Sequence, residues 1–358
     1  MMEEWGKMDP QRKEGTIRTF HYSIIPLFLF LSLAHRGEAA DQLLYFEAQG
    51  IAGYSSLVKK PIYYSMNPDA EMQKPSLGFD YLKRFSGESG DWATLAVQGR
   101  LALIVRPEEA EGEDRTKLEP QIYNAYFKLK TPGPYVWVGH NRPAFGLSSY
   151  FDSHGLLLGT LAIQGFGYDR DWGAGIYKDF SWGDISASAT TGSGMPIYFK
   201  GNYMTSARVS YGVLSQDNIN LGFSLGYGNT LDTMGYKLRN PDPQTMMLAG
   251  ADLTILRNNL EHRFDVLAGQ WLGSDTYALF YRFGINLHPE GRLKVEIQPA
   301  YWRTGGEEDY QLSLCVSVLA TSNLTVRLAY TNDHLTNENM LVLQLYYYRP
   351  VTFRSKSQ

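Results

Sequence analysis

Long runs of strict two-residue alternation fill the chain beyond residue 40, and no other feature constrains the fold as strongly. Residues 218–228 show the pattern most clearly. Ile219, Leu221, Phe223, Leu225 and Tyr227 fall on one side, and Asn220, Gly222, Ser224 and Gly226 on the other. Successive side chains of a strand point to opposite faces, so such a run has one apolar face and one polar face. Residues 277–286, 293–302, 310–318 and 324–331 repeat it. The segments run about 9–13 residues, longer than an ordinary soluble strand and long enough to cross a bilayer at a tilt. Helical periodicity is almost absent.

A soluble sandwich also has one apolar face per strand, so the connections must decide. Short links are expected at 86–90, 131–133, 181–183, 215–217, 258–259, 289–290 and 321–322. Longer ones are expected at 56–75, 107–119, 143–170, 192–202, 229–243, 273–274, 304–307 and 333–337, the sixth being the one short member of that set. Seven short and eight long links join sixteen strands and bring both ends to one side. Tight turns at one end, longer loops at the other and an even strand count are what a transmembrane barrel requires. Closure also satisfies every backbone donor and acceptor in lipid, which an open sheet does not. The fold class expected is therefore all-β: a transmembrane antiparallel up-and-down β-barrel of about 16 strands. A two-domain soluble β protein is the rival.

Aromatics near the expected strand ends read as two girdles at the lipid–water boundaries. They are Tyr81 and Phe85, Tyr135 and Trp137, Trp172, Phe180 and Trp182, Trp271 and Tyr277, Tyr301 and Trp302, and Tyr346 to Tyr348. The last strand alternates Leu341, Leu343, Leu345 and Tyr347, resembling the C-terminal assembly signal of outer-membrane barrels, with Tyr347 or Phe353 as its terminal aromatic.

Residues 23–34, SIIPLFLFLSLA, have the length of a signal-peptide apolar core and follow Arg12, Lys13 and Arg18. Gly37-Glu38-Ala39 then offers small residues at the positions a signal peptidase reads. Residues 1–39 are expected to be an export signal, with Met8 an alternative start, and residues 40–358 a single barrel domain in the outer membrane of a Gram-negative bacterium.

One segment goes beyond architecture. Val138-Gly139-His140-Asn141-Arg142-Pro143-Ala144-Phe145-Gly146-Leu147 resembles the strand end and loop opening of phosphate-selective (O/P-type) porins, with Ala144 inserted between Pro143 and Phe145. Asp169-Arg170-Asp171-Trp172-Gly173 resembles the start of that family's following strand. The resemblance implies an outer-membrane porin whose long third loop folds into the lumen and narrows it. The apolar stretch 156–163 inside this link fits, because a long loop with apolar content needs something to pack on. The alternative makes 156–166 a seventeenth strand.

With the apolar face towards lipid, strand parity turns Arg100, Lys128, Arg208, Arg263, Arg282, Lys294 and Arg327 into the lumen, together with Glu47, Asp80, Asp252, Asp265 and Glu296. Charge rings set which ions enter a pore, and seven positive against five negative imply a slight preference for anions. These charges could equally pair across strands and set nothing. No stacked arginine ladder aligns, so phosphate specificity is not implied. Asp152, His154, Asp169 and Arg170 are the candidates for the constriction.

Other classes are excluded on composition and spacing. Against 37 Asp and Glu there are 33 Lys and Arg, so no basic face for nucleic acid is expected. One cysteine, Cys315, excludes a disulfide framework and a cysteine-rich zinc site. Ser153 beside His154 faces the opposite way on a strand, so no catalytic pair arises and no enzyme activity is expected. No cofactor or metal is expected. The expected partners are outer-membrane lipid, small hydrophilic solutes or ions, and further copies in a homotrimer, for which Ile185, Ala187, Ala189, Ala249 and Ala251 offer small outward residues. The alternative function is a structural sleeve around a periplasmic partner such as a multihaem cytochrome.

Overall fold

A computed structural model describes residues 42–70, 72–88, 90–106, 115–213, 218–288 and 291–351. Residues 1–39 and Phe353 lie outside the described residues, so the export signal and that candidate terminal aromatic have no structural counterpart here. The same holds for the links 215–217 and 289–290.

The strands are β1 (Gln42–Ser55), β2 (Lys60–Ile62), β3 (Ser76–Gly87), β4 (Gly90–Val105), β5 (Thr116–Leu129), β6 (Tyr135–Asn141), β7 (Asp171–Phe180), β8 (Gly183–Thr190), β9 (Tyr203–Tyr211), β10 (Asn218–Met234), β11 (Lys237–Arg257), β12 (Leu260–Trp271), β13 (Ser274–Asn286), β14 (Leu293–Thr304), β15 (Glu307–Thr321), β16 (Leu324–Asp333) and β17 (Glu338–Val351). The three-residue β2 pairs only with the end of β1, where Gly53 to Ser55 face Ile62 to Lys60. The other sixteen form the wall. Each is antiparallel to its neighbour in the chain, and β17 returns to β1 with Leu44 opposite Val351 and Ser55 opposite Met340. The sheet is closed. No strand forms at 156–166, so the seventeenth-strand alternative fails; a single 3-10 turn at Leu147–Ser149 opens that link.

Which face points outwards is decided on β10. Ile219, Phe223 and Leu225 are 50%, 56% and 66% exposed, whereas Asn220 and Ser224 are each 3% exposed. The other strands repeat this: Leu312, Leu314, Val316 and Val318 are exposed while Ser313 and Cys315 are buried, and Leu341, Leu343 and Leu345 are exposed while Gln344 is buried. A soluble sandwich has the reverse order, with apolar faces packed together. A barrel with a greasy exterior is the arrangement that suits lipid, where each unpaired backbone group would cost several kcal/mol.

Two links differ from expectation for one reason. The expected loop 229–243 is a hairpin: β10 runs on to Met234 and β11 begins at Lys237, with only Gly235 and Tyr236 between. Pro241 and Pro243 sit in a strand because β11 pairs with β12 only from Met247, so one edge of the hairpin needs no donors. Likewise β5 starts at Thr116, and Pro120 is tolerated because β6 pairs with β5 only from Ala125 to Leu129. The rim is therefore uneven. The strands β6 to β9 stop low, while β4 with β5 and β10 with β11 project. The Tyr236 hydroxyl spans the gap, accepting from the Ile122 amide (2.6 Å) and donating to the Ile122 carbonyl (3.0 Å).

The girdle expectation needs correction. Phe180, Trp182 and Tyr277 are exposed on the outside, but Trp137 and Trp271 are buried. Trp271 and Trp302 pack in an apolar cluster on the inner face, and Tyr346 and Tyr348 share the inward parity of buried Gln344. Near the strand ends, both faces of the wall carry rings.

Candidate functional site

Residues 142–170, between β6 and β7, touch the inward faces of strands all round the ring. The Ala144 and Gly146 amides donate to Ser188 of β8 (3.0 Å) and Ser224 of β10 (3.1 Å). Tyr150 donates to Asp252 of β11 (3.0 Å). Arg282 of β13 donates to the Leu158 and Gly159 carbonyls (2.8 and 3.1 Å), and Gln298 of β14 to that of Gly159 (3.1 Å). Arg327 of β16 donates to the Gly155 carbonyl (2.7 Å). His154 meets Glu47 of β1 (2.6 Å) and Gln98 of β4 (3.0 Å). Tyr123 of β5 donates to Asp169 (2.6 Å).

Apolar packing supplies the rest of the hold. Phe145, Leu147, Leu161, Phe166 and Tyr168 of this segment cluster with Met204, Met246, Leu248, Leu267, Trp271 and Phe280 of the wall. Leu157 and Leu158 form a second cluster with Ile51, Ile62, Met340 and Val342. At about 1.5–3 kcal/mol per fully buried large apolar side chain, these clusters outweigh the net gain of about 0.5–1.5 kcal/mol from each hydrogen bond. The polar contacts set the position instead: a carbonyl buried without a donor would cost about 1–3 kcal/mol.

The residues assigned by parity are brought to this inner wall, but mostly as matched groups. Arg208 grips Asp252 through two bonds (3.0 and 2.8 Å), reaches Asn220 (2.9 Å) and lies 4.5 Å over the Tyr150 ring. Arg263 bonds Glu261 (2.5 Å) and lies 4.0 Å over Phe151. Arg282 is fully buried and bonds Gln298 as well as the two loop carbonyls. Lys294 pairs with both Glu261 and Glu296 (3.0 and 2.9 Å). Arg100 donates to Gln121 (2.9 Å) and Arg327 to Gln344 (2.9 Å). Asp265 stands opposite Asp252 in the β11–β12 register and accepts from the Leu147 amide. Asp80 accepts from the Tyr348 hydroxyl (2.9 Å), and Lys128 lies 5.8 Å over the Tyr135 ring.

The four constriction candidates divide into two roles. Asp169 and Arg170 pair at 2.9 Å and are buried; the Arg170 guanidinium lies 4.1 Å over Tyr123. They anchor the end of the segment. Asp152 keeps a half-exposed side chain, bonded to Arg142 (2.8 Å) with Arg170 at 3.7 Å. His154, held on Glu47, is packed beside it in sequence. Asp152 is thus the member of the set that meets open space. Arg142, Tyr150, Phe151 and Tyr123 were not singled out from the sequence. Arg142 lay inside the porin-like segment, while the three rings carry no local signal. A cavity of about 620 Å³ lies at the turn end beside the segment, lined among others by Lys128, Arg142, Tyr150, Asp179, Asp184 and Arg208. Among the described residues no group of three His, Cys, Asp or Glu could hold a metal ion.

A closed sixteen-stranded antiparallel barrel, apolar outside and polar within, is the architecture of a porin. Solved structures with this fold bear that out. The anion-selective porin of Comamonas acidovorans has a TM-score of 0.58 at 10% identity, covering 87% of this chain and 100% of that one. OmpF of Salmonella typhi, in complex with daunomycin, has a TM-score of 0.58 at 11% identity, covering 86% and 98%. The trimer form of OmpT, an outer membrane protein of Vibrio cholerae, has a TM-score of 0.56 at 11% identity, covering 87% and 100%. At such identities the likeness concerns the fold. No protein-family model and no curated protein matches the chain.

Proposed function

We propose that this chain is an outer-membrane porin of a Gram-negative bacterium, allowing passive diffusion of small hydrophilic solutes and ions past the segment 142–170. One observation carries the reading: a closed sixteen-stranded wall exposes its apolar faces outwards and turns its polar faces on an inner segment held from many sides. Sixteen strands enclose more width than wall side chains can fill, so an inner segment sets the passage. Residue 152 and Arg142 sit where that passage narrows. The likeness to the phosphate-selective group rests on the two sequence segments alone.

Ion preference is weak in this reading. The seven inward cations are largely matched by carboxylates, amides, carbonyls or rings, so their numerical excess over carboxylates is not a surplus of free charge. Lys128, Arg142 and Arg208 line the open cavity together with Asp179 and Asp184, three cations to two carboxylates, which supports only a slight preference for anions. The outward residues Ile185, Ala187, Ala189, Ala249 and Ala251 on β8 and β11 form the wall for a homotrimer contact. A sleeve would need an empty bore, and the inner segment speaks against it.

Planar-bilayer recording of the purified barrel under a salt gradient tests the reading. Steady current steps with a small reversal potential of anionic sign are expected. Absence of any current from correctly folded barrels would overturn it. Cross-linking of the detergent-purified protein, read by its migration without heating, tests the trimer.

A further inference from the structure

On its outer face, near the loop end, the wall carries a hollow of about 890 Å³. The strand register explains it. Leu225, Ala249, Ala268, Tyr277 and Arg303 stand in one row across β10 to β14, so two small residues lie between a leucine and a tyrosine ring. One step nearer the loops, exposed Tyr227 and Met247 raise the first ridge. Gln270 and Asp275 continue that second row, and with Arg303 they make the loop end of the hollow polar. One step towards mid-depth the row is Phe223, Ala251, Val266, Leu279 and Tyr301, without a charge. The hollow thus runs from a charged mouth on to apolar wall. Its volume lies within the range of about 300–1,000 Å³ usual for small-molecule sites.

The mouth carries both signs. Arg303 is exposed, with Glu308 opposite it at 3.8 Å. Asp275, also exposed, is its diagonal neighbour on β13, since Tyr277 stands directly opposite Arg303. Diagonal neighbours lie about 7–8 Å apart, within reach of long side chains. A ligand with a negative and a positive group a few bonds apart can meet both.

We propose that this hollow holds a phospholipid whose head carries a phosphate and a free ammonium, as in phosphatidylethanolamine. The inference takes from the reading above only that the wall stands in a bilayer. An acyl chain lies over Ala249 and Ala268, between the leucine ridge and Tyr277. The phosphate accepts from the Arg303 guanidinium, and the ammonium donates to Asp275. Charge decides against the other occupants. A lipid with several phosphates, such as lipid A, meets two carboxylates, Asp275 and Glu308, for one cation. A lipid with a phosphate and no ammonium sets like charge beside Asp275. A second copy competes for this face, because Ala249 was assigned above to a trimer contact. Its apolar wall would bury Arg303 and Asp275 without new partners, which costs more than it returns.

Native mass spectrometry of the purified, detergent-solubilised barrel tests the site, with phosphatidylethanolamine, phosphatidylglycerol and lipid A added in equal amounts. Phosphatidylethanolamine should be retained in preference to the other two. Arg303→Gln should lower the retained fraction about two- to fivefold, the order of one exposed charged contact. Asp275→Asn should remove the preference over phosphatidylglycerol. Ala268→Phe, which fills the trough from an outward position, should abolish retention; if it does not assemble, Ala249→Leu reads the same trough. Stronger retention of phosphatidylglycerol or lipid A overturns the proposal, as does equal retention by the parent and these variants. So does a change of oligomer on unheated gels in Ala268→Phe when the parent retains no lipid, which would give the face to a second copy. Planar-bilayer current is read separately. Lipid retained by a barrel that passes no current would sink the channel and keep the site; current without retained lipid would do the opposite.

Discussion

Residues of this inner wall act through the carbonyls and rings they meet rather than through free charge. Arg282 shows it best. Its guanidinium is buried, with Nη2 donating to the Leu158 and Gly159 carbonyls and Nε to Gln298. Arg282→Met should take its donor from the buried Leu158 carbonyl and cost about 1–3 kcal/mol. The segment should then loosen, and single-channel current should become larger and noisier. An unchanged trace would mean that Arg282 does not restrain the segment. Gly155 is held at φ 70° against the face of Tyr346, and an added Cβ would come within 2.7 Å of that ring. Gly155→Val should therefore displace the segment at this point and weaken the contacts of His154, read as altered conductance. Neither role was legible in the sequence. Parity correctly turned Arg282 inwards, but parity cannot say that its partners are carbonyls more than a hundred positions away. The same blindness made a basic excess out of cations that are matched. Sequence shows which face a residue takes; only the fold shows what already stands there.

At the scale of elements, the alternation of apolar and polar residues carried nearly all of the wall, since period two is a property of the strand itself. It failed where strands rise beyond their neighbours. The expected links 107–119 and 229–243 cut into strands that carry proline, Pro120 just beyond the first and Pro241 and Pro243 inside the second, although a central strand excludes proline. On β5 and β11 each lies beside an edge that no neighbouring wall strand pairs, and the prohibition lapses. Rings at strand ends misled in the same way, because lipid–water boundaries and the inner wall both use them. The projecting hairpin is tied by charge as well as by Tyr236. Asp69 in the link after β1 bonds Arg106 at 2.6 Å and Lys237 at 3.5 Å. Burial pushes the Asp69 carboxyl up, but Arg106 and Lys237 outweigh it and hold it below its ordinary value of 3.8. A carboxylate lowered in the folded state stabilises above its unfolded value, and the stabilisation is lost as pH falls through the lowered one. Hydrogen exchange at the hairpin tip should hence stay slow at neutral pH and quicken, relative to the rest of the barrel, only below about pH 3.8. Asp69→Asn should quicken it a few-fold at neutral pH, and identical exchange in both proteins would refute the tie.

For the whole molecule, the two sides of one strand should answer to different experiments. Leu225 faces outwards and Ser224 inwards on β10. Leu225→Arg should cost about 2–4 kcal/mol if it lies at mid-depth in the bilayer, measured by urea unfolding from lipid vesicles. Ser224→Ala should cost only about 1 kcal/mol there, yet free the Gly146 amide and change the conductance. Equal effects of the two on vesicle stability would contradict the assignment of faces. The raised hairpin of β10 and β11 has a further consequence. A tilted crossing takes about 9–11 residues, and these two strands have 17 and 21. The surplus stands clear of the bilayer on the side of the longer loops. In the channel reading, an antibody or a phage arriving from the surrounding medium would meet this arm well outside the bilayer, so changes in recognition can accumulate there away from the passage.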